Sequence, residues 1–250
     1  MLMNSRVRTA SIFAAVLVLA ACGDGAPGAA ETAKTTKKAV AAKPASGQNW
    51  LEVTAATPEG GFRMGNPDAP VKLVEYASLT CPHCRDFHEN AMPTIKGDYV
   101  ATGKVSYEFR NFILNSVDYA ATMVARCTTP SAFFGLTDAF FRSQSEWTEP
   151  FMSLTAEQTK PLESLAPDQQ VVAFARLGKL DAFVRARGVP AAKVEACLTD
   201  KTQRSQLEAI RKEAIALGVA GTPSFAINGE LQKDVFNWAA LEPKLKEAVE

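Results

Sequence analysis

Residues 71–88 read VKLVEYASLTCPHCRDFH. The opening VKLVEYAS is β-branched and aromatic at the length of a strand. The run CRDFHENAMPTIKGDYVATG then reads as a helix, with Pro93 a kink and Gly103 its end, and KVSYEFRNFIL as a second strand. Strand, helix and strand in that order imply a right-handed parallel crossover. At the hand-over from strand to helix sit Cys81, Cys84 and both histidines of the chain, His83 and His88.

Working outward, the folded part is expected to begin near NWLEV (49–53), with TPEGGFRMGNPDAP (57–70) a turn-rich connection. Beyond Asn115 the apolar residues fall at helical spacing in SVDYAATMVARC, SAFFGLTDAFFRSQSEW, DQQVVAFARLGKLDAFVRARG and PAAKVEACL, broken by Pro130, Pro150, Pro161, Pro167 and Gly188-Val189-Pro190. Asp200 caps a further helix that Gly218 stops. TPSFAINGELQKDVF follows as a hairpin turning at Asn228-Gly229, and NWAALEPKLKEAVE as a helix interrupted by Pro243. This is an α/β fold with an all-helical insertion, divided as 49–114, 115–200 and 201–250.

The chain has 250 residues, 47% of them hydrophobic, with 27 basic and 27 acidic side chains. Without residues 1–21, which carry Arg6 and Arg8 and no acid, no basic excess remains, so no nucleic-acid partner is expected. Arg6 and Arg8 precede SIFAAVLVLAA, long enough for a signal-peptide core and short for a bilayer span. The run ends in Leu19-Ala20-Ala21-Cys22, which resembles the lipobox of bacterial lipoproteins; Cys22 is then lipidated, and ordinary cleavage among the alanines is the alternative. Residues 22–48 hold no large apolar side chain except Val40 and read as a flexible tether.

Four cysteines remain for the exported chain. Zinc would take Cys81, Cys84 and His88 and lack a fourth ligand of the usual kind, so no metal is expected. A structural staple closing so small a loop removes little chain entropy. A redox pair fits the position best, because Cys81 meets the unpaired N–H groups and positive end of the helix, which favour a thiolate. His83 can add a positive charge or a donor, and Cys84, one turn into the helix, is the shielded resolving thiol. A stabilised thiolate stabilises the reduced form and makes the disulfide a better oxidant. Glu75 shares a strand side with Val71 and Leu73 and reads as a buried acid, able to exchange protons near neutrality or simply salt-bridged. His88 reads as a histidine on the helix surface.

GNPDAPVKLVEYAS leading into TCPHC, the long helical insertion and GVAGTPSFAING together resemble the DsbA-like thiol:disulfide oxidoreductases of the thioredoxin superfamily, over about residues 60–250. The resemblance implies a thioredoxin-like fold, a cis Pro223 packed on the redox pair, backbone groups at Thr222 that pair with an extended substrate, and Glu75 helping to deprotonate Cys84. It also implies a second disulfide in the helical block, here Cys127–Cys197, with two separate thiols as the alternative. Where the archetypal oxidase carries an acid, this chain has His88.

The expected function is formation of disulfides in reduced exported proteins by a monomer that faces the periplasm on a lipid anchor. A DsbB-like membrane protein would reoxidise it, and no cofactor is called for. Thr222 also suits an isomerase or reductase, and a non-catalytic binding module is the alternative of another class.

Overall fold

The computed structural model describes residues 49–250. The expected signal peptide, the lipidation expected at Cys22 and the expected tether lie outside the described residues. Six strands form one sheet: β1 (Thr54–Ala56), β2 (Phe62–Gly65), β3 (Val71–Ala77), β4 (Val105–Asn111), β5 (Ser224–Ile227) and β6 (Glu230–Leu231), in the order β1-β2-β4-β3-β5-β6. Only the β3–β4 pair is parallel. Helix α1 (Pro82–Thr94) joins those two strands, so the two cysteines stand at the end of a central strand.

Three readings of the sequence change. The turn-rich stretch 57–70 contains β2, whose Phe62 and Met64 are buried while Arg63 is only partly covered, and which pairs with both β1 and β4. The run after Pro93 is not one kinked helix: α1 passes into a π-helical turn, Ile95–Val100, just beyond the residue that has no N–H to give. Pro150, Pro161 and Pro243 lie inside helices rather than between them. Each removes one backbone bond, a loss that tertiary packing can outweigh.

The block 116–198 holds α2 (Ser116–Ala125), α3 (Pro130–Arg142), α4 (Gln144–Met152), α5 (Ala156–Glu163), α6 (Pro167–Leu177), α7 (Leu180–Arg185) and α8 (Ala191–Leu198). Pro130 and Pro167 occupy first helical positions, where a missing N–H costs nothing. Helix α9 (Lys201–Leu217) is capped by the Asp200 carboxylate, which accepts from the N–H groups of Thr202 and Gln203, and stops at Gly218 with φ 99°. Asn228 and Gly229 take φ of 51° and 85° in the β5–β6 turn, and α10 (Trp238–Val249) follows. Cys127, just past α2, and Cys197 in α8 form a disulfide with Cα atoms 5.8 Å apart.

One face of the sheet presents Leu73, Phe109 and Phe225 to α1 and α3, and the core they form continues into the helical block. Phe133 of α3 stacks on Phe62 with ring centroids 3.9 Å apart, and Phe141 lies beside His88. Burying such a ring contributes roughly 2–3 kcal/mol, so α3 anchors the insertion to the sheet beneath Cys81 and Cys84. The opposite face packs Val74, Tyr76 and Ala226 against Ala214 of α9.

Candidate active site

Cys81 is the cap residue of α1, with extended backbone (φ −78°, ψ 119°) and Pro82 as the first helical residue. Its sulfur therefore faces the unpaired N–H groups of the first turn. Cys81 is 6% exposed and Cys84 fully buried, and both are free thiols. The two differ sharply in acidity. Hydrogen bonding from the Cys84 S–H and, against the opposing effect of burial, from the Thr222 side chain and then the backbone N–H groups of Cys84 and His83 lowers the Cys81 thiol from near 9 to about 5. Burial, the same thiol–thiol hydrogen bond and the charge of Glu75 push Cys84 well above its ordinary value. The side chain of His83 points outward and lines a cavity with Phe87, Asn90, Phe236 and Trp238.

Thr222-Pro223 is a cis peptide bond. The Thr222 carbonyl oxygen lies 3.3 Å from the Cys81 sulfur, because β5 begins at Ser224 directly beside Tyr76 of β3. The loop before Cys81 is gripped by the helical block. The Gln144 amide donates to the carbonyls of Leu79 and Cys81 at 2.8 and 3.0 Å. Asp118 accepts from the N–H groups of Leu79 and Leu114 at 3.0 Å each, and burial pushes its carboxyl up to about 6 against those bonds. Asn115 donates to the Thr80 hydroxyl at 3.1 Å. Nothing in the local sequence marks Gln144 or Asp118, since their partners lie far along the chain.

Behind Cys84, Glu75 is fully buried and meets His88, whose Nε2 lies 3.2 Å from its Oε2. The Tyr107 hydroxyl of β4 donates to the same oxygen. His88 is thus not on the helix surface: it is 8% exposed, enclosed by Phe109 and Phe141. The spacing held the signal, because His88 is four residues beyond Cys84 and so shares its face of α1. Its Nδ1 lies 3.7 Å from Asp138 of α3, which pairs with Lys96 at 2.8 Å. Burial alone would depress the His88 ring, but Glu75 and then Asp138 outweigh it and raise it to about 9. Among the described residues no three His, Cys, Asp or Glu side chains are grouped to hold a metal ion.

The sequence pattern of the family described as Thioredoxin matches residues 57–247. The fold is similar to the crystal structure of a protein-disulfide isomerase from Novosphingobium aromaticivorans, at 34% identity and TM-score 0.72 over 75% of this chain and 96% of that one. It is also similar to alpha-DsbA1 of Wolbachia pipientis, at 25% identity and TM-score 0.60 over 77% and 92%. A relative in Rickettsia bellii, provisionally named a protein-disulfide oxidoreductase, is 27% identical over 80% of this chain. The chain spans 69% of that relative's length and 57% of the length of its Rickettsia felis counterpart. A thioredoxin-like sheet bearing a CxxC pair at the start of α1, with a helical block inserted between β4 and β5, places this chain among the DsbA-like protein-disulfide oxidoreductases of the thioredoxin superfamily.

Proposed function

We propose that the chain introduces disulfides into exported proteins outside the cytoplasm by passing on a Cys81–Cys84 disulfide. A substrate thiolate attacks the Cys81 sulfur, and the electron pair of the broken bond passes to Cys84, which takes up a proton. A second substrate thiolate then attacks the substrate sulfur of the mixed disulfide and releases Cys81 as a thiolate. The substrate loses two electrons and the enzyme gains them. A DsbB-like membrane protein restores the disulfide, the backbone at Thr222 and Pro223 receives the extended substrate, His83 tunes Cys81 through its backbone N–H, and a lipid on Cys22 tethers a monomer to the membrane.

The observation that carries this reading is the inequality of the two thiols. A two-electron couple moves by at most about 30 mV for each pH unit by which one thiolate is favoured. A Cys81 thiol lowered from near 9 to about 5 therefore shifts the couple toward an oxidant by about 60 mV at pH 7 and by at most about 120 mV above pH 9. Isomerisation is the second reading, favoured by Thr222 before Pro223 and by the name of the Novosphingobium structure. Equilibration with glutathione, alongside refolding of a reduced and a scrambled substrate, tests both. The oxidase reading expects an oxidising couple and activity on the reduced substrate alone; efficient rescue of the scrambled one replaces it with the isomerase.

A further inference from the structure

A buried thiolate cannot remain on Cys84 when the disulfide opens, because desolvation holds that thiol well above its ordinary value. Cys84 has no exposure of its own, so its proton must come from inside the protein. Glu75 lies behind it, equally buried, and is followed by His88 and Asp138 in that order. Asp138 is a quarter exposed and opens on a cavity of about 360 Å³ that His88, Met92, Lys96 and Phe141 also line.

We propose that His88 is a positioning residue that lends a proton to Glu75 and takes it back, serving Cys84 from behind α1 rather than past Cys81. This inference rests on Cys81–Cys84 being the redox pair and on Glu75 being its acid. With the disulfide closed, the imidazolium of His88 pairs with the Glu75 carboxylate. When substrate thiolate breaks the Cys81–Cys84 bond, Cys84 receives the electron pair, and the Nε2 proton of His88 passes to the Glu75 carboxylate and from it to Cys84, leaving a neutral ring and Glu75 again a carboxylate. Asp138 lies 3.7 Å from Nδ1, beyond hydrogen-bond reach, and its negative charge favours the N–H on that side, which makes Nε2 the atom that exchanges. On reoxidation the Cys84 thiol attacks the mixed disulfide with the reoxidant, and its proton returns through Glu75 to Nε2. One proton moves each way, and the ring needs no flip.

The groups facing His88 fit that role. From β3 comes Glu75 and from β4 the Tyr107 hydroxyl, 3.5 Å from Nε2; burial and the Glu75 charge keep the Tyr107 proton in place. From α3 comes Asp138, and from the π-helical turn Lys96, which neutralises the outer side of Asp138. Glu89 and Arg142 stand at the cavity rim as an oppositely charged pair of residues, and Cys84 lies on the same helix.

The test is the rate at which dithiothreitol reduces the oxidised full-length protein, followed by acid quench and thiol alkylation from pH 6 to 10 and compared with a Cys84→Ala control. Wild type is expected to lose rate as pH passes about 9, relative to the thiolate supply of the reagent. His88→Ala is expected to be slowed at least tenfold at pH 7. Imidazole, which fits the enlarged cavity, should restore it in proportion to the imidazolium present, a response that a purely structural role would not produce. His88→Gln, which keeps a hydrogen-bonding amide, should be equally slow and lack the limb near pH 9. A wild-type rate in His88→Gln, or slowing in His88→Ala that imidazole leaves untouched, overturns the proposal. If instead wild type shows no reducible Cys81–Cys84 bond, the redox reading itself fails, and the two failures are told apart in the same samples.

Discussion

Replacing Cys84 with Ala removes the S–H donor that does most to hold Cys81 as a thiolate. A hydrogen bond to a charged group contributes about 1.5–3 kcal/mol, and about 1.4 kcal/mol corresponds to one pH unit. The ionisation midpoint of Cys81 in Cys84→Ala should therefore rise from about 5 by ~1–2 pH units. It should stop short of an ordinary thiol, because the Thr222 side chain, the backbone N–H groups of His83 and residue 84 and the positive end of α1 remain. The assay is the pH dependence of alkylation by iodoacetamide, paired with the ultraviolet absorbance of the thiolate. A midpoint that does not move would mean that Thr222 and the helix terminus set the acidity without Cys84. A midpoint at the free-thiol value would mean that neither contributes, and either result refutes this division of causes.

Three further outcomes follow from the same geometry. The reduced protein gains stability from a Cys81 thiol whose folded value lies below its unfolded one, a gain fully present above about pH 9 and lost as pH falls through about 5; scanning calorimetry of both redox forms should show their melting temperatures converging across that window. Asp118→Asn leaves one acceptor oxygen for two N–H groups, the buried one of Leu79 and the part-buried one of Leu114, and should cost ~1–3 kcal/mol in denaturant unfolding; a change within error would remove Asp118 as the loop's anchor. Replacing both Cys127 and Cys197 with Ala opens a cross-link over a separation of 70 residues and should cost up to about 4 kcal/mol, while the alkylation midpoint of Cys81 stays put.

Much of the site is legible along the chain because its rules are local. A strand handing over to a helix at Cys81 can be read from composition and alternation, and a thiol at that junction meets unpaired N–H groups whatever surrounds it. The Asp200 cap, the Gly218 stop and the Asn228-Gly229 turn depend on one or two residues' own conformational preferences. Strand alternation puts Glu75 on the same side as Val71 and Leu73, and its place under the active site came from the family resemblance.

What lies around Cys84 is decided elsewhere. The periodicity of α1 puts His88 on the face of Cys84, but whether that face meets water or protein depends on α3 arriving with Phe141 and Asp138. Tyr107 reaches Glu75 only because β3 and β4 pair in parallel register, and Gln144 reaches Cys81 only because α4 starts above the loop. Helices survive Pro150, Pro161 and Pro243, and β2 forms in a turn-rich stretch, because burial against distant partners outweighs the local penalty. Residue order alone makes the CxxC pair and its strand-to-helix frame legible. Which charges and protons that pair can reach depends on the fold, since burial and electrostatics sum over neighbours that sequence distance does not reveal.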